Sequence, residues 1–342
     1  MNKQPVRLGM LGAQHGHAAG KLRWLRDLEE IDLAGVYEPC ADARAAKESE
    51  PNSAGLPYVD DIDRLLEDPS VLGILIGGAE RQNPSYARRA LQAGKHLLME
   101  KACGWTHAHV DELTGLAESS GLLFQMGYNN RLTPHFRRVL DMVDRGEFGD
   151  IYRVRSHMCS FYHPSADTYL GRDRYFNGGI FYNLGSHALD MAMAVLGTPA
   201  KVHSFLRCDR FDESGYIDNA TVVLEYPKAI ATLEASHLET EQVRPRSFEV
   251  YGSEAQAIVS PWASIGDRAP AVAIHRGGPG AGADGWKVYG TGRESPFRDD
   301  VEHFADCVRG ESEPRFSYDH DRAVHHTLMD ICGETDVAEE IV

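Results

Sequence analysis

Short apolar runs bounded by glycine alternate with helical patterns over the first 128 residues of the chain. The runs at 6–11, 33–37, 72–77, 96–99 and 122–126 predict strands, and the stretches near 21–29, 42–48, 61–67, 85–93 and 107–119 predict helices. Apolar strands alternating with helices imply a parallel sheet covered on both faces. Thr133 followed by Pro134 reads as a helix cap with proline at the first helical position, and Gly146 stops that helix after Arg145.

After Gly149 apolar and polar residues alternate, at 151–162, 201–206, 220–226, 229–237, 247–252 and 255–259. This period of two predicts a mostly antiparallel sheet with one covered face. A helix at 181–196 interrupts it, and Pro227–Lys228 turns a hairpin. The glycine-rich segment 277–285 reads as a flexible loop. Helices at 297–308, capped by Ser295, and at 319–340 close the chain. Two domains are expected, 1–128 and 129–342, with the last helices packing back on the first domain.

The 342 residues suffice for two domains that each bury a core. A formal net charge of −16 argues against a nucleic-acid partner, which requires clustered Lys and Arg. No apolar stretch approaches the roughly 20 residues of a bilayer span, and 6–11 lacks the length and cleavage site of a signal peptide. A soluble, cytoplasmic, small-molecule protein with no membrane partner is therefore expected. The six cysteines are scattered, with no C-x-x-C pair, and read as free thiols.

The stretch "LGMLGAQHGHAAGK" runs from a strand through a turn into a helix, which gathers free backbone N–H groups and a helix dipole at one point. Such a point suits a pyrophosphate. Against the pattern G-x-G-x-x-G, Gly12 holds the first position, while Gln14 and His17 stand at the second and third; Gly16 retains part of the close backbone approach. Gln14, His15 and His17 are expected to border the cofactor. Glu38, ending the second strand, is placed to accept hydrogen bonds from ribose hydroxyls and to repel a 2′-phosphate, so NAD is preferred over NADP. No metal is expected at His15 and His17, because residues two apart on a starting helix do not share a face. His107 and His109 fail the same test and read as surface residues of a capped helix.

Glu100 and Lys101 fall at the carboxyl end of a strand, the edge where open α/β sheets hold ligands. In "GGIFYNLGSHALDMAMAVLG", Asn183, His187 and Asp190 are spaced four and then three apart, along one face of the predicted helix. An imidazole titrates close to neutral pH and suits removal of a hydroxyl proton.

With these residues, and with "RALQAGKHLLMEK", "MGYNNRLTPHFRRVLDMVDRGEFGDIYRVR" and "VEHFADCVRGESEPRFSYDHDRAV", the chain resembles the Gfo/Idh/MocA family along nearly its whole length. That family comprises glucose–fructose oxidoreductase, inositol dehydrogenase and rhizopine catabolism proteins. The resemblance implies an α/β protein: an N-terminal Rossmann doubly wound parallel sheet, then a C-terminal α+β domain with a large, mostly antiparallel open sheet. It implies that Lys101 lies near the nicotinamide and the reacting carbon, that His187 is the acid/base, and that Asn183 stands beside it. Asn129, Asn83, Gly78 and Glu100 are implied on the cofactor side.

The sequence departs from the family pattern at three places, one of them the missing glycines of the loop that opens with Gly12. Ala102 replaces the proline of the family's Glu-Lys-Pro motif; a cis bond without proline costs about 3–4 kcal/mol, so a trans Lys101–Ala102 bond is expected, or else a cis bond whose strain is retained for function. Asn183 replaces an aspartate, so it can hydrogen-bond a hydroxyl but cannot stabilise an imidazolium by charge.

The resemblance implies an NAD-dependent oxidoreductase acting on a secondary alcohol of a sugar, sugar acid or cyclic polyol. Two further readings stay open: an NAD-cycling glycosidase or lyase, and a non-catalytic regulator that senses dinucleotide and sugar. Tyr162, His163, Arg172, Arg174 and Tyr175, with Asp190, are the substrate-facing candidates, because aromatic and Arg-rich loops suit a sugar ring. A homodimer or homotetramer packed through the second sheet is expected.

Overall fold

Six short strands build the first sheet: β1 (Val6–Leu11), β2 (Ile31–Tyr37), β3 (Tyr58–Val59), β4 (Gly73–Ile76), β5 (His96–Glu100) and β6 (Phe124–Gly127). They lie in the order β3-β2-β1-β4-β5-β6, and every pair is parallel. β4 is buried at all its positions and β1 at all but Arg7, as strands covered on both faces must be. The order reverses between β1 and β4, so their carboxyl ends form the switch point where such sheets bind ligands. The computed structural model describes residues 4–161, 176–210, 215–239, 246–261, 269–280, 282, 285–290 and 295–342.

Helices α1 (Ala18–Asp27), α2 (Ala41–Ser49), α3 (Asp63–Leu66), α4 (Asn83–Gln92) and α5 (His107–Ser120) connect these strands. Leu8, Met10, Leu22, Leu25, Leu75 and Leu98 form a continuous core with Val301, Phe304 and Ala305. The last three residues come from a helix near the end of the chain. Accordingly, the first of two compact units contains Met1–Asn129, Ser295–His325 and Asp336–Val342, and the second contains Asn130–Glu294 and His326–Thr335.

The second unit carries an eight-stranded sheet: β7 (Ile151–Cys159), β8 (Lys201–Arg207), β9 (Asn219–Glu225), β10 (Ile230–Ser236), β11 (Arg246–Gly252), β12 (Ala255–Val259), β13 (Ala271–Arg276) and β14 (Trp286–Gly290). The order is β14-β13-β12-β11-β7-β10-β9-β8, with β7 and β10 parallel and the other pairs antiparallel. Alternation is clean: Ala220, Val222 and Leu224 of β9 are buried and their neighbours are not. The covered face carries α6 (Pro134–Asp144) and α7 (Ser186–Leu196), and α7 packs on β7 and β10.

Two expectations are corrected. β13 and β14 were not anticipated, because small residues and the neighbouring glycines of 277–285 mask their alternation. The final helix, expected over 319–340, is α9 (Tyr318–Cys332), with α8 (Pro296–Val308) before it. Gly333 follows at φ 81°, the left-handed conformation that closes helices. Among the described residues no helix is long and apolar enough to cross a membrane. The six cysteines are free thiols, with Cys103 and Cys159 buried.

Candidate active site

The turn after β1 is built for close backbone approach. Gly12 has φ 73°, and a Cβ there would stand 2.2 Å from Gly78 Cα, so only glycine fits. Gly12 N–H donates to the Tyr37 carbonyl at 2.7 Å and His15 N–H to the Gly77 carbonyl at 2.9 Å, pinning the turn to the ends of β2 and β4. Glu38 is buried and its carboxylate accepts three N–H groups: Ala13 at 2.7 Å, the Gln14 side chain at 2.9 Å and Cys40 at 3.0 Å. Gln14, at the second glycine position of the fingerprint, thus ties the turn to the acidic residue. A carboxylate offers about four acceptor positions, which leaves one for a ribose hydroxyl.

Beside Gly78 lie Gln82, Asn83 and Tyr86, at the start of α4. Gln82 Oε1, Asn83 Oδ1 and Tyr86 Oη are buried, and none has a hydrogen-bond partner among the described residues. Orphaned buried polar atoms are costly and call for a ligand or water. The close glycine pair and these acceptors therefore fit a nucleotide.

A buried ionic chain lies behind the turn. Glu100 is fully buried; its Oε1 lies 2.8 Å from Lys21 Nζ and its Oε2 2.9 Å from His17 Nδ1. Lys21, itself fully buried on α1, also meets Asp300 Oδ2 at 2.9 Å. Asp300 accepts from the Gln125 amide at 2.8 Å, and Gln125 Oε1 lies 2.9 Å from His303 Nδ1. Burial disfavours the Lys21 charge, but Asp300 and Glu100 outweigh it and hold its ammonium above the ordinary lysine range. Burial likewise pushes the Glu100 carboxyl up, and Lys21, His17 and His15 together hold it well below the usual carboxylate range. The sequence marked Glu100 as a neighbour of the cofactor; it missed Lys21 and Asp300, whose pairing exists only once α8 returns to α1.

His15 and His17 do converge, contrary to the argument from helix faces. His15 precedes α1, so its Nδ1 reaches within 3.6 Å of the same Glu100 oxygen that His17 meets. His109 is also not a surface residue: it packs on Trp105 with ring centroids 4.6 Å apart, and its Nδ1 accepts the Trp105 N–H at 3.2 Å. Gly16 is exposed in the turn, and Asn129 is buried at the start of a 3-10 turn, Asn129–Leu132.

Lys101 follows Glu100 directly and is 5% exposed. Its peptide bond to Ala102 is cis, the second of the two outcomes expected, and Ala102 and Cys103 are buried.

In the second unit the predicted 181–196 helix is two pieces. Phe181–Gly185 is a π turn, after which α7 begins at Ser186. Such widened turns shift side-chain register and are frequent at functional sites, and this one removes Asn183 from the regular helical spacing assumed for it. His187 is buried, and its Nδ1 lies 3.1 Å from the side-chain amide nitrogen of Asn130. Asp190 is 1% exposed and bound by Arg131, with Nε 2.9 Å from both carboxylate oxygens and Nη2 2.5 Å from one of them. Asn130 and Arg131, adjacent in "GYNNR", were not singled out in the sequence; their side chains serve α7. Tyr162, His163, Arg172, Arg174 and Tyr175 lie outside the described residues.

The strand order, the glycine turn and the acidic residue ending β2 together define a dinucleotide-binding fold. Residues 6–128 match the model of the oxidoreductase family with NAD-binding Rossmann fold, and 136–258 match that of the GFO/IDH/MocA C-terminal domain. The chain belongs to the Gfo/Idh/MocA family of oxidoreductases.

An uncharacterised oxidoreductase of Escherichia coli, YhhX, is 32% identical over 56% of this chain and 54% of its own length, so the match spans about half of that relative. The myo-inositol 2-dehydrogenase of Thermotoga maritima is 25% identical over 73% of this chain and 72% of its own. Among solved structures, the 3-ketoreductase KijD10 of Actinomadura kijaniata, determined with NADP and TDP-benzene, superposes with a TM-score of 0.74. It is 21% identical and covers 96% of this chain and 97% of its own, a likeness of fold.

Proposed function

We propose that this protein is an NAD-dependent oxidoreductase acting on a secondary alcohol of a sugar, sugar acid or cyclic polyol, or on the corresponding ketone. The observation that carries the cofactor reading is the Glu38 carboxylate, held by Ala13, Gln14 and Cys40 with one acceptor position left for a ribose hydroxyl. A buried carboxylate there also opposes a 2′-phosphate, so NAD is favoured over NADP. The Gly12 turn would hold the pyrophosphate, while Gly78, Asn83 and Asn129 would line the remainder. When bound, the nicotinamide supplies the hydride acceptor.

The protein's own residues supply the proton chemistry. His187 takes the hydroxyl proton or returns it, with Asn130 holding its ring. Lys101 stabilises the developing carbonyl oxygen by charge. Asp190, committed to Arg131, positions α7, and Asn183 offers an amide to a substrate hydroxyl. Tyr162, His163, Arg172, Arg174 and Tyr175 are proposed to meet the sugar. The similarity to the myo-inositol 2-dehydrogenase of Thermotoga maritima supports the polyol class.

We also propose a homo-oligomer formed through the second sheet. Pairing register places Phe205, Ile230 and Val288 on its uncovered face, and all three are exposed.

The test is to titrate the protein with NAD and NADP, then incubate it with a panel of polyols, sugars and glycosides. Accumulating NADH from an alcohol supports the proposal. Release of an aglycone without net NADH favours NAD cycling instead, and binding without turnover favours a sensor.

A further inference from the structure

The uncovered face of the second sheet brings together a set of side chains that the proposed reaction does not use. His157 and Cys159 are two apart on β7, so they project to the same side. Glu234 stands directly opposite His157 on β10, and Glu239 follows three residues after that strand ends. His157 Nδ1 lies 2.7 Å from Glu234 Oε2 and 3.8 Å from Cys159 Sγ. Its Nε2 lies 4.0 Å from Glu239 Oε1. One ligand atom each from His157, Cys159 and Glu239 lies within 4.8 Å of the others.

We propose that His157, Cys159 and Glu239 bind one divalent transition-metal ion of the zinc class, with Glu234 as the carboxylate that orients the imidazole. Zinc bonds of about 2.0–2.3 Å in a tetrahedron hold ligand atoms roughly 3.3–3.8 Å apart, so small rotamer adjustments close the site. A carboxylate on the second imidazole nitrogen is the usual arrangement around metal-bound histidine. Three protein ligands leave the fourth position to water. The ligand set is one thiol, one imidazole and one carboxylate, a donor mixture suited to zinc, cobalt or nickel and not to magnesium or calcium.

The electrostatics favour a cation. Cys159 is 1% exposed, and the Glu239 carboxylate lies within 4.8 Å of its sulfur. Against this, the Arg246 guanidinium donates to the Cys159 carbonyl at 3.1 Å. A metal ion would convert the thiol to its thiolate and neutralise the carboxylates. A simple cross-strand pair of His157 with Glu234 accounts for two of the four residues and not for the buried thiol beside them. The cluster of His15, His17 and Glu100 differs in this respect, because the Lys21 ammonium already sits 2.8 Å from Glu100. In the single chain the His157, Glu234 and Glu239 side chains are each partly exposed.

The experiment adds Co²⁺ to metal-stripped full-length protein and follows the near-ultraviolet thiolate-to-cobalt charge-transfer band. The expected result is one Co²⁺ per chain, displaced by Zn²⁺, with the band lost in Cys159→Ser and affinity reduced about 10- to 100-fold in Glu239→Gln and Glu234→Gln. The glutamate variants alter partly exposed side chains and keep the test valid if Cys159→Ser does not fold. The proposal is overturned by the absence of the band, by a band that survives in Cys159→Ser, or by unchanged affinity in both glutamate variants.

Discussion

The Asn130 side-chain amide lies 3.1 Å from His187 Nδ1, in the place where an acid/base histidine more often has a carboxylate. An amide fixes the ring without lending charge to the imidazolium. Asn130→Asp should therefore favour the protonated His187 ring and move the acid limb of the turnover profile to higher pH. A pH–rate profile that does not shift would separate Asn130 from the chemistry.

Lys21 neutralises two buried carboxylates, Glu100 and Asp300. Removing one partner of such a network leaves uncompensated charge, so Lys21→Met should cost about 3–5 kcal/mol. Equilibrium urea denaturation measures this, and Lys21→Met combined with Glu100→Gln should lose less than the sum of the single changes. Strict additivity would show that the pair is not coupled.

His237 is buried against Tyr216, with ring centroids 5.9 Å apart, and burial pushes its imidazole down to about 4. The unfolded chain protonates this residue near 6.5. Between the two values the unfolded state holds more protons, so stability falls as pH drops through that window, by up to about 3 kcal/mol. His237→Gln should flatten this part of a denaturation-midpoint curve; an unchanged slope would assign the acid sensitivity elsewhere.

Gly12 cannot carry a side chain without meeting Gly78 or leaving its left-handed conformation. Gly12→Ala should cost about 1–3 kcal/mol of local strain and weaken NAD binding about tenfold or more, read by fluorescence titration. Unaltered affinity would remove the turn from the cofactor site.

These residues differ in how far the sequence revealed them. The parallel sheet was legible because β1, β2, β4, β5 and β6 are apolar runs between helical patterns, and Glu38 because it ends one of them. β3, two residues long, has no periodicity to read. Lys21 carries no local signal in the sequence, because its partners lie 79 and 279 residues away and meet it only through folding. The spacing of Asn183 reads differently for another reason: a period of 3.6 residues per turn does not hold across a segment that widens into a π turn. The Asn130 contact depends on the turn that follows β6, which local pattern does not specify.

The central claim, hydride exchange with a carbon-bound hydroxyl served by Lys101 and His187, is tested most directly by comparing Lys101→Ala and His187→Ala with the wild type. The measurement is NADH formation on a polyol or sugar that the wild type oxidises, alongside NAD affinity. The account predicts that both variants lose turnover while retaining NAD binding; wild-type rates in either variant would contradict it.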